Sequence, residues 1–267
     1  MAPEISHFRD MDFVAESFDP ATKDFLYTTF AVIEGDDAVY FGQLPKPKRQ
    51  ITFEDYTSAL MRLPDAEIYP RLPTGGELTV APDNLDLSTK FYLKRPRLFQ
   101  YDEYKAQDCL DIIPALLLEE AYTLEKLSRH PHPGIVQYHG CRVRRGFVTG
   151  LVLDRHIDDL KNYVRKQKGP LDKGPFMEAL ESAVGHLHSL GLAHNDVNPS
   201  NILVNAAGLP VLADFDSCHG VGTKLTYTRG TPGWVDESDS YDTSEISHDR
   251  YAIQRIRTWL AEQTTNS

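Results

Sequence analysis

The chain has 267 residues, 41% of them apolar, enough for one large domain or two lobes around an ordinary packed core. Its formal charge of −11 excludes a nucleic-acid-binding face, which needs clustered cations to displace counterions from phosphates. Cys109, Cys141 and Cys218 are too scattered for a disulfide framework, and no CxxC pair marks zinc. Residues 1–6 lack the basic flank and apolar run of a signal peptide, and no later run reaches membrane-spanning length. The expectation is a cytoplasmic or nuclear monomer without membrane or nucleic-acid partners.

Residues 1–20 have no clear period and read as a loosely held arm. Residues 25–34 and 38–44, rich in aromatic and β-branched side chains, flank Gly35-Asp36-Asp37 and predict a hairpin. Thr52 caps a predicted helix carrying Phe53, Tyr56, Ala59, Leu60 and Leu63 at helical spacing, and Pro64 stops it. Strands are then predicted over 68–72, 77–81 and 89–94, the first two joined by a turn at Gly75-Gly76. Pro114 opens a helix with Leu117, Glu120, Tyr122, Leu124 and Leu127 in register. Residues 148–153 read as a buried strand, Asp158-Asp159 caps a helix over 161–167, and Phe176 to Leu190 form the apolar stripe of another. His186 and His188 are two apart on that helix, on different faces, which argues against a metal pair.

The stretch His194-Asn195-Asp196-Val197-Asn198-Pro199-Ser200-Asn201 lies between this helix and two short apolar runs, 202–204 and 211–213, which surround a turn; Asp214-Phe215-Asp216 follows. A helix, loop and hairpin in that order place Asp196, Asn201 and Asp214 at one mouth. Two carboxylates and an amide there suit Mg²⁺, a hard cation that takes oxygen ligands and shares them with phosphates. The competing reading is turn chemistry, since Asp and Asn side chains bond to neighbouring backbone in loops.

The order and spacing resemble the H-R-D-x-x-x-x-N catalytic loop and D-F-G of the protein-kinase superfamily. The likeness extends to Phe91-Tyr-Leu-Lys94 for V-A-I-K, to His132-Pro133-Gly134-Ile135-Val136, to Gly230-Thr231-Pro232-Gly233-Trp234 and to Asp249-Arg250-Tyr251-Ala252, covering about residues 67–260. It implies an α+β, two-lobed kinase-like fold: an added hairpin and helix over 1–66, a small lobe over 67–153, and a large lobe over 154–267, truncated after the F-helix.

The resemblance also implies the cofactors ATP and Mg²⁺ and a set of roles. Lys94 pairs with Glu120, with Glu119 as the fallback. Asp196 orients the attacking hydroxyl and accepts its proton, Thr231 bonds that aspartate, and Asn201 and Asp214 hold Mg²⁺. Leu153 takes the gatekeeper place, Asp154 and His156 belong to the adenine-binding hinge, and Leu203 forms the adenine floor. His194, Phe215 and Leu124 stack as an apolar spine, and Asp249 bonds the catalytic-loop backbone.

Departures from the family pattern are as informative. Gly75-Gly76 stands where a phosphate-cradling loop is expected and equally fits a plain hairpin turn. Tyr92 replaces a small alanine above adenine, so its ring fills that slot or the strand register differs. Asn195 replaces the arginine that receives an activation-loop phosphate, in a loop carrying Thr223, Thr226, Tyr227 and Thr228. Asn198 replaces a lysine that neutralises the transferring phosphoryl group, a loss that costs roughly 10²–10³ in rate. Asp216 replaces glycine and either recruits a cation or caps the next turn; Asp236-Glu237-Ser238 stands in the A-P-E place. The resulting reading is slow phosphoryl transfer to serine or threonine hydroxyls of a protein substrate. The alternatives are a pseudokinase acting as a binding or scaffold module and, third, a small-molecule kinase of the aminoglycoside-phosphotransferase type.

Overall fold

The computed structural model describes residues 2–225, 230–238 and 240–263. The chain forms two compact units, Met1–Gly75 with Arg95–Leu118 and Arg142–Gly150, and Gly76–Lys94 with Glu119–Cys141 and Leu151–Ser267. Both combine helices with antiparallel strands, the expected α+β class.

In the first unit, β1 (Phe13–Phe18), β2 (Phe25–Ile33), β3 (Val39–Leu44) and β4 (Met61–Arg62) form one antiparallel sheet in that order. The predicted hairpin is present, with Ile33 opposite Val39 and Thr28 opposite Leu44. The N-terminal arm is more ordered than its sequence indicates. Phe13 through Phe18 pair with β2 from Ala31 back to Phe25, a partnership set by residues that local pattern does not reveal.

Helix α1 (Phe53–Ala59) begins with a capping box: Thr52 Oγ1 accepts from the Asp55 amide at 3.1 Å, and Asp55 Oδ2 accepts from the Thr52 amide at 2.9 Å. The helix buries Tyr56 against Phe30, with ring centroids 4.7 Å apart, in a core with Ile5, Met11, Val32, Ile51 and Leu60. The short α2 (Asp65–Ile68) and α3 (Tyr101–Ala106) complete this unit. Its buried centre is Asp37, which accepts from Arg95 and Thr149 and forms an ion pair with Arg142.

In the second unit, β5 (Phe91–Lys94) pairs with the Leu151–Asp154 end of β7 (Phe147–Asp154), Phe91 opposite Asp154 and Lys94 opposite Leu151, and Tyr138–Cys141 are this unit's part of β6 (Tyr138–Arg144). Strand alternation puts Tyr92 and Lys94 on one face and Leu93 on the other, where it packs with Ala81 and Val152. The helix α4 (Ile112–Ser128) carries Glu120. The strands expected at 68–72 and 77–81 do not form; each region contributes one isolated bridge, Arg71 to Phe147 and Val80 to Cys141. Side-chain bonds hold the second region in this course. Thr79 donates from its amide and hydroxyl to Glu125 on α4, and the Tyr122 hydroxyl donates to Glu77. Residues 79–81 thus run along β6, and at Gly140, φ 116°, an added Cβ would lie 2.7 Å from the Ala81 nitrogen.

The remaining elements hold the central loop. These are β8 (Asp158–Asp159), α5 (Leu160–Arg165), α6 (Lys173–Ser189), β9 (Leu192–Ala193), β10 (Ile202–Val204), β11 (Pro210–Leu212), β12 (His219–Gly220) and α7 (Ile246–Glu262). The α6 stripe Phe176, Leu180, Ala183, Val184 and Leu187 is buried as predicted, and β10 pairs with both β8 and β11.

Candidate active site

The loop from β9 to β10 carries Asp196, Asn198 and Asn201. Asp196 Oδ1 accepts from Asn198 Nδ2 at 3.0 Å, and Oδ2 accepts from Asn201 Nδ2 at 2.9 Å. The two amides also donate to the Asp196 main-chain oxygen, which fixes the carboxylate from both sides. Asn198 Nδ2 lies 3.2 Å from Thr231 Oγ1, so Thr231 reaches the aspartate through Asn198 instead of by the expected direct bond.

Two main-chain bonds at Ala213 place Asp214 beside this loop: its amide donates to the Asn201 oxygen at 2.9 Å, and its oxygen accepts from His194 Nε2 at 3.0 Å. His194 Nδ1 accepts from the Asp196 amide, consistent with a proton on Nε2. Asp214 stands at φ 63°, a left-handed conformation rare outside glycine and typical of residues held in place for a task. Phe215 is buried with its ring 5.1 Å from that of His194, and Leu124 is also fully buried.

Lys94 links the sheet to these elements. Its Nζ lies 2.5 Å from Glu120 Oε2 and 2.6 Å from Asp214 Oδ1. Glu120 uses its second oxygen to accept from the Phe215 amide at 2.9 Å, so α4, β5 and the Asp214 turn are tied at one point. Burial alone would lower the Lys94 pKa, but Glu120, Asp214 and Asp216 together hold it well above the usual lysine range. Burial likewise pushes the Glu120 carboxyl up, with Lys94 opposing it. Asp216 accepts from the Ser217 hydroxyl at 3.1 Å, and its charge acts on Lys94, which makes it part of the acidic cluster. Glu119 instead lies 3.8 Å from His219.

Tyr92 shares the Lys94 face and is 49% exposed, and the Arg155 guanidinium sits 5.9 Å from its ring centroid. Arg155 donates to the Leu87 and Phe91 oxygens, which holds it there. Leu203 is half-buried in β10, opposite Val211. Asp154 bonds His139 Nε2 at 2.7 Å, and burial lowers the pKa of His156, whose Nε2 is enclosed without a hydrogen-bond partner among the described residues. Both line a cleft of about 340 Å³ with His132, Ile135, Gln137 and Asn205, and none of Lys94, Asp196, Asn201 and Asp214 lines it. Gly76 precedes the run fastened to α4 and β6, while Gly75 belongs to the first unit. Thr226, Tyr227 and Thr228 lie outside the described residues.

Asp249 accepts from the amides of His194 and Asn195 and bonds His188 Nε2, fixing the loop from below. Arg155 and the Asn198 bonds were missed in the sequence. The signal for the first was a large ring in an alanine place, which needs a partner on its open face.

The groups that would ligate a cation here are all oxygens: those of Asp214 and Asp216 and the amide oxygen of Asn201, whose nitrogen is committed to Asp196. This suits a hard divalent ion. Among the described residues no three His, Cys, Asp or Glu side chains converge as a metal site on their own, so further oxygens, such as phosphates, would complete the shell.

A family model described as the protein kinase domain matches residues 100–237, just over half of the chain. The chain is 30% identical over 122 residues to the serine/threonine-protein kinase Tao of Drosophila melanogaster, covering 45% of this chain and 11% of that protein. It is 28% identical over 167 residues to mitogen-activated protein kinase kinase kinase 5 of Arabidopsis thaliana, covering 61% and 22%. It is 32% identical over 116 residues to the MAPK/MAK/MRK overlapping kinase of Mus musculus, covering 42% and 27%. The chain thus spans at most about a quarter of the length of these relatives. A chain of the yeast RNA Pol II CTD kinase CTDK-1 complex is 16% identical, with a TM-score of 0.46 over 52% of this chain and 48% of that one.

Proposed function

Because this chain belongs to the protein kinase family, we propose that it transfers the terminal phosphoryl group of ATP, with Mg²⁺, to serine or threonine hydroxyls of a protein. The observation that carries this reading is the Lys94 ammonium held between Glu120 at 2.5 Å and Asp214 at 2.6 Å, the joint that a phosphate-anchoring lysine needs. Mg²⁺, when bound, neutralises charge on the transferring phosphates.

Lys94 would hold the phosphates. Asn201 and Asp214, with Asp216, would hold the metal. Asp196, steadied by two amides, would orient the incoming hydroxyl and take its proton. Asn198 supplies a neutral amide where a full positive charge would assist most, so turnover is slow, by roughly 10²–10³ relative to a site with that cation.

A second reading, a pseudokinase that binds partners without useful turnover, is favoured by the Tyr92–Arg155 pair on the Lys94 face and by the course of residues 79–81 along β6. Radiolabelled phosphate transfer from ATP to a general serine/threonine acceptor protein separates the two. The proposal expects a slow, Mg²⁺-dependent rate that Asp196→Ala abolishes. A wild-type rate equal to that of Asp196→Ala would replace it with the second reading.

A further inference from the structure

Residues 77–81 tie helix α4 to the sheet at a second place besides the Lys94–Glu120 pair. The Thr79 amide and hydroxyl donate to the two oxygens of Glu125, at 2.9 and 3.0 Å, and the Tyr122 hydroxyl donates to Glu77 at 3.1 Å. The same segment is bonded to β6: the Cys141 amide donates to the Thr79 oxygen at 2.7 Å, and the Ala81 amide donates to the Cys141 oxygen at 2.9 Å. Leu78, Ala81 and Glu125 are buried, and Arg129 lies 3.5 Å from Glu125 Oε1. The segment can approach β6 because Gly140 has no Cβ; one placed there would stand 2.7 Å from the Ala81 nitrogen and 2.8 Å from the Thr79 oxygen.

Helix geometry decides what this strap can do. At about 100° per residue, Tyr122 and Glu125 lie about 200° and 140° around α4 from Glu120, so the strap and the ion pair hold opposite faces of one helix. On one face, Glu120 reaches Lys94 on β5 and the Phe215 amide. On the other, Glu125 and Tyr122 reach β6 through the strap. Both strands belong with the Leu151–Asp154 end of β7, which pairs with β5 and whose Asp154 amide donates to the Gln137 oxygen, just ahead of β6, at 3.0 Å. A helix held on one face can still roll about its axis; held on two opposite faces, it cannot. Lys126 adds a hold at the helix end, where its Nζ donates to the Leu190 oxygen at 3.0 Å. The Thr79 bonds end on a carboxylate, which makes them stronger than bonds between neutral groups.

We infer that Glu125 is a positioning residue: by gripping residues 77–81 between α4 and β6, it keeps α4 where Glu120 meets Lys94. This rests on the phosphotransferase reading for its kinetic consequence but not for its structural one. The test sets wild type against Glu125→Gln, which leaves one oxygen for two donors, and against Gly140→Ala, which displaces the strap without altering a side chain bonded to α4. Thr79→Val and Thr79→Ser complete the set. Glu125→Gln and Gly140→Ala lower kcat by on the order of tenfold with KM for ATP within about twofold, because the loss falls on the transition state while Lys94 keeps Asp214. Both also speed amide exchange at 119–128 and leave β2 unaffected. Thr79→Val, which loses one of the two bonds, lowers kcat by about threefold, and Thr79→Ser, which keeps both donors, restores it. A purely structural brace would move the melting temperature and leave kcat alone. Exchange at 119–128 unchanged in Glu125→Gln overturns the inference, as does kcat within about twofold of wild type in that variant, or a Thr79→Ser chain as slow as Thr79→Val. A wild type without transfer fails the phosphotransferase reading instead, and the exchange at 119–128 then decides this one.

Discussion

Asp37 in the first unit and Lys94 in the second are each the centre of a buried charge cluster, and the two are built on opposite plans. Asp37 is fully enclosed, with Arg95 at 3.0 Å, Arg142 at 2.7 Å and the Thr149 hydroxyl at 2.8 Å. Its charge is more than balanced, and both oxygens are taken. Lys94 is 15% exposed and faces Glu120, Asp214 and Asp216, so negative charge is in excess, and Asp214 is held in a left-handed conformation. A cluster that is closed and neutralised from within braces the fold; one that is partly open and short of positive charge attracts a cation.

The largest effect should come from removing the brace. Asp37→Ala leaves two arginines facing each other without their anion and should cost about 3–5 kcal/mol, read from urea unfolding. A loss below about 1 kcal/mol would mean that solvent already compensates those arginines. The complementary change, Asp214→Asn, should lower phosphoryl transfer by ~10²–10³. It should destabilise the chain less than Asp37→Ala, because Lys94 keeps Glu120 and the excess of carboxylates falls. If Asp214→Asn unfolds the protein as readily as Asp37→Ala, the two clusters do not differ in kind.

The contrast also explains what was legible in the sequence. The Thr52 cap and the 25–44 hairpin are local, each encoded within about twenty residues, and both form as read. The pairing of residues 13–18 with β2 and the course of 77–81 along α4 are set by distant partners, Ala31 and Glu125 among them, that no window of neighbours contains. The site shows the same division. Asp196 and Asn201 come from one loop and bond each other, and Asn201 holds the main chain of Ala213 next to Asp214, whereas the Thr231 link through Asn198 and the Arg155 contact with Tyr92 depend on the packed structure.

Two smaller effects sharpen the comparison. If the Tyr92 ring and Arg155 crowd the base, Tyr92→Ala should tighten ATP binding by about tenfold, roughly 1.4 kcal/mol, in calorimetric titration. Unchanged or weaker binding would place the ring outside the base site or in contact with it. In the first unit, the Thr52 amide, then Lys46, hold the Asp55 carboxyl down at about 2. An acid with a depressed pKa stabilises the fold above its ordinary value near 3.8, and that contribution fades as pH falls through the folded value. Melting followed between pH 5 and pH 2 should show a slope in wild type that is shallower in Asp55→Asn, the slightest of the four changes; equal slopes would remove the capping box from the account.

The most direct measurement of the central claim is the melting temperature of the wild-type chain with millimolar ATP, in the presence of Mg²⁺ and in the presence of a chelator. A site with one lysine among several carboxylates repels a nucleotide until a divalent cation supplies the missing charge, and binding to the folded state must raise the melting point. The account predicts stabilisation with Mg²⁺ and none with the chelator. An unmoved melting point in both, or an equal rise in both, would contradict it.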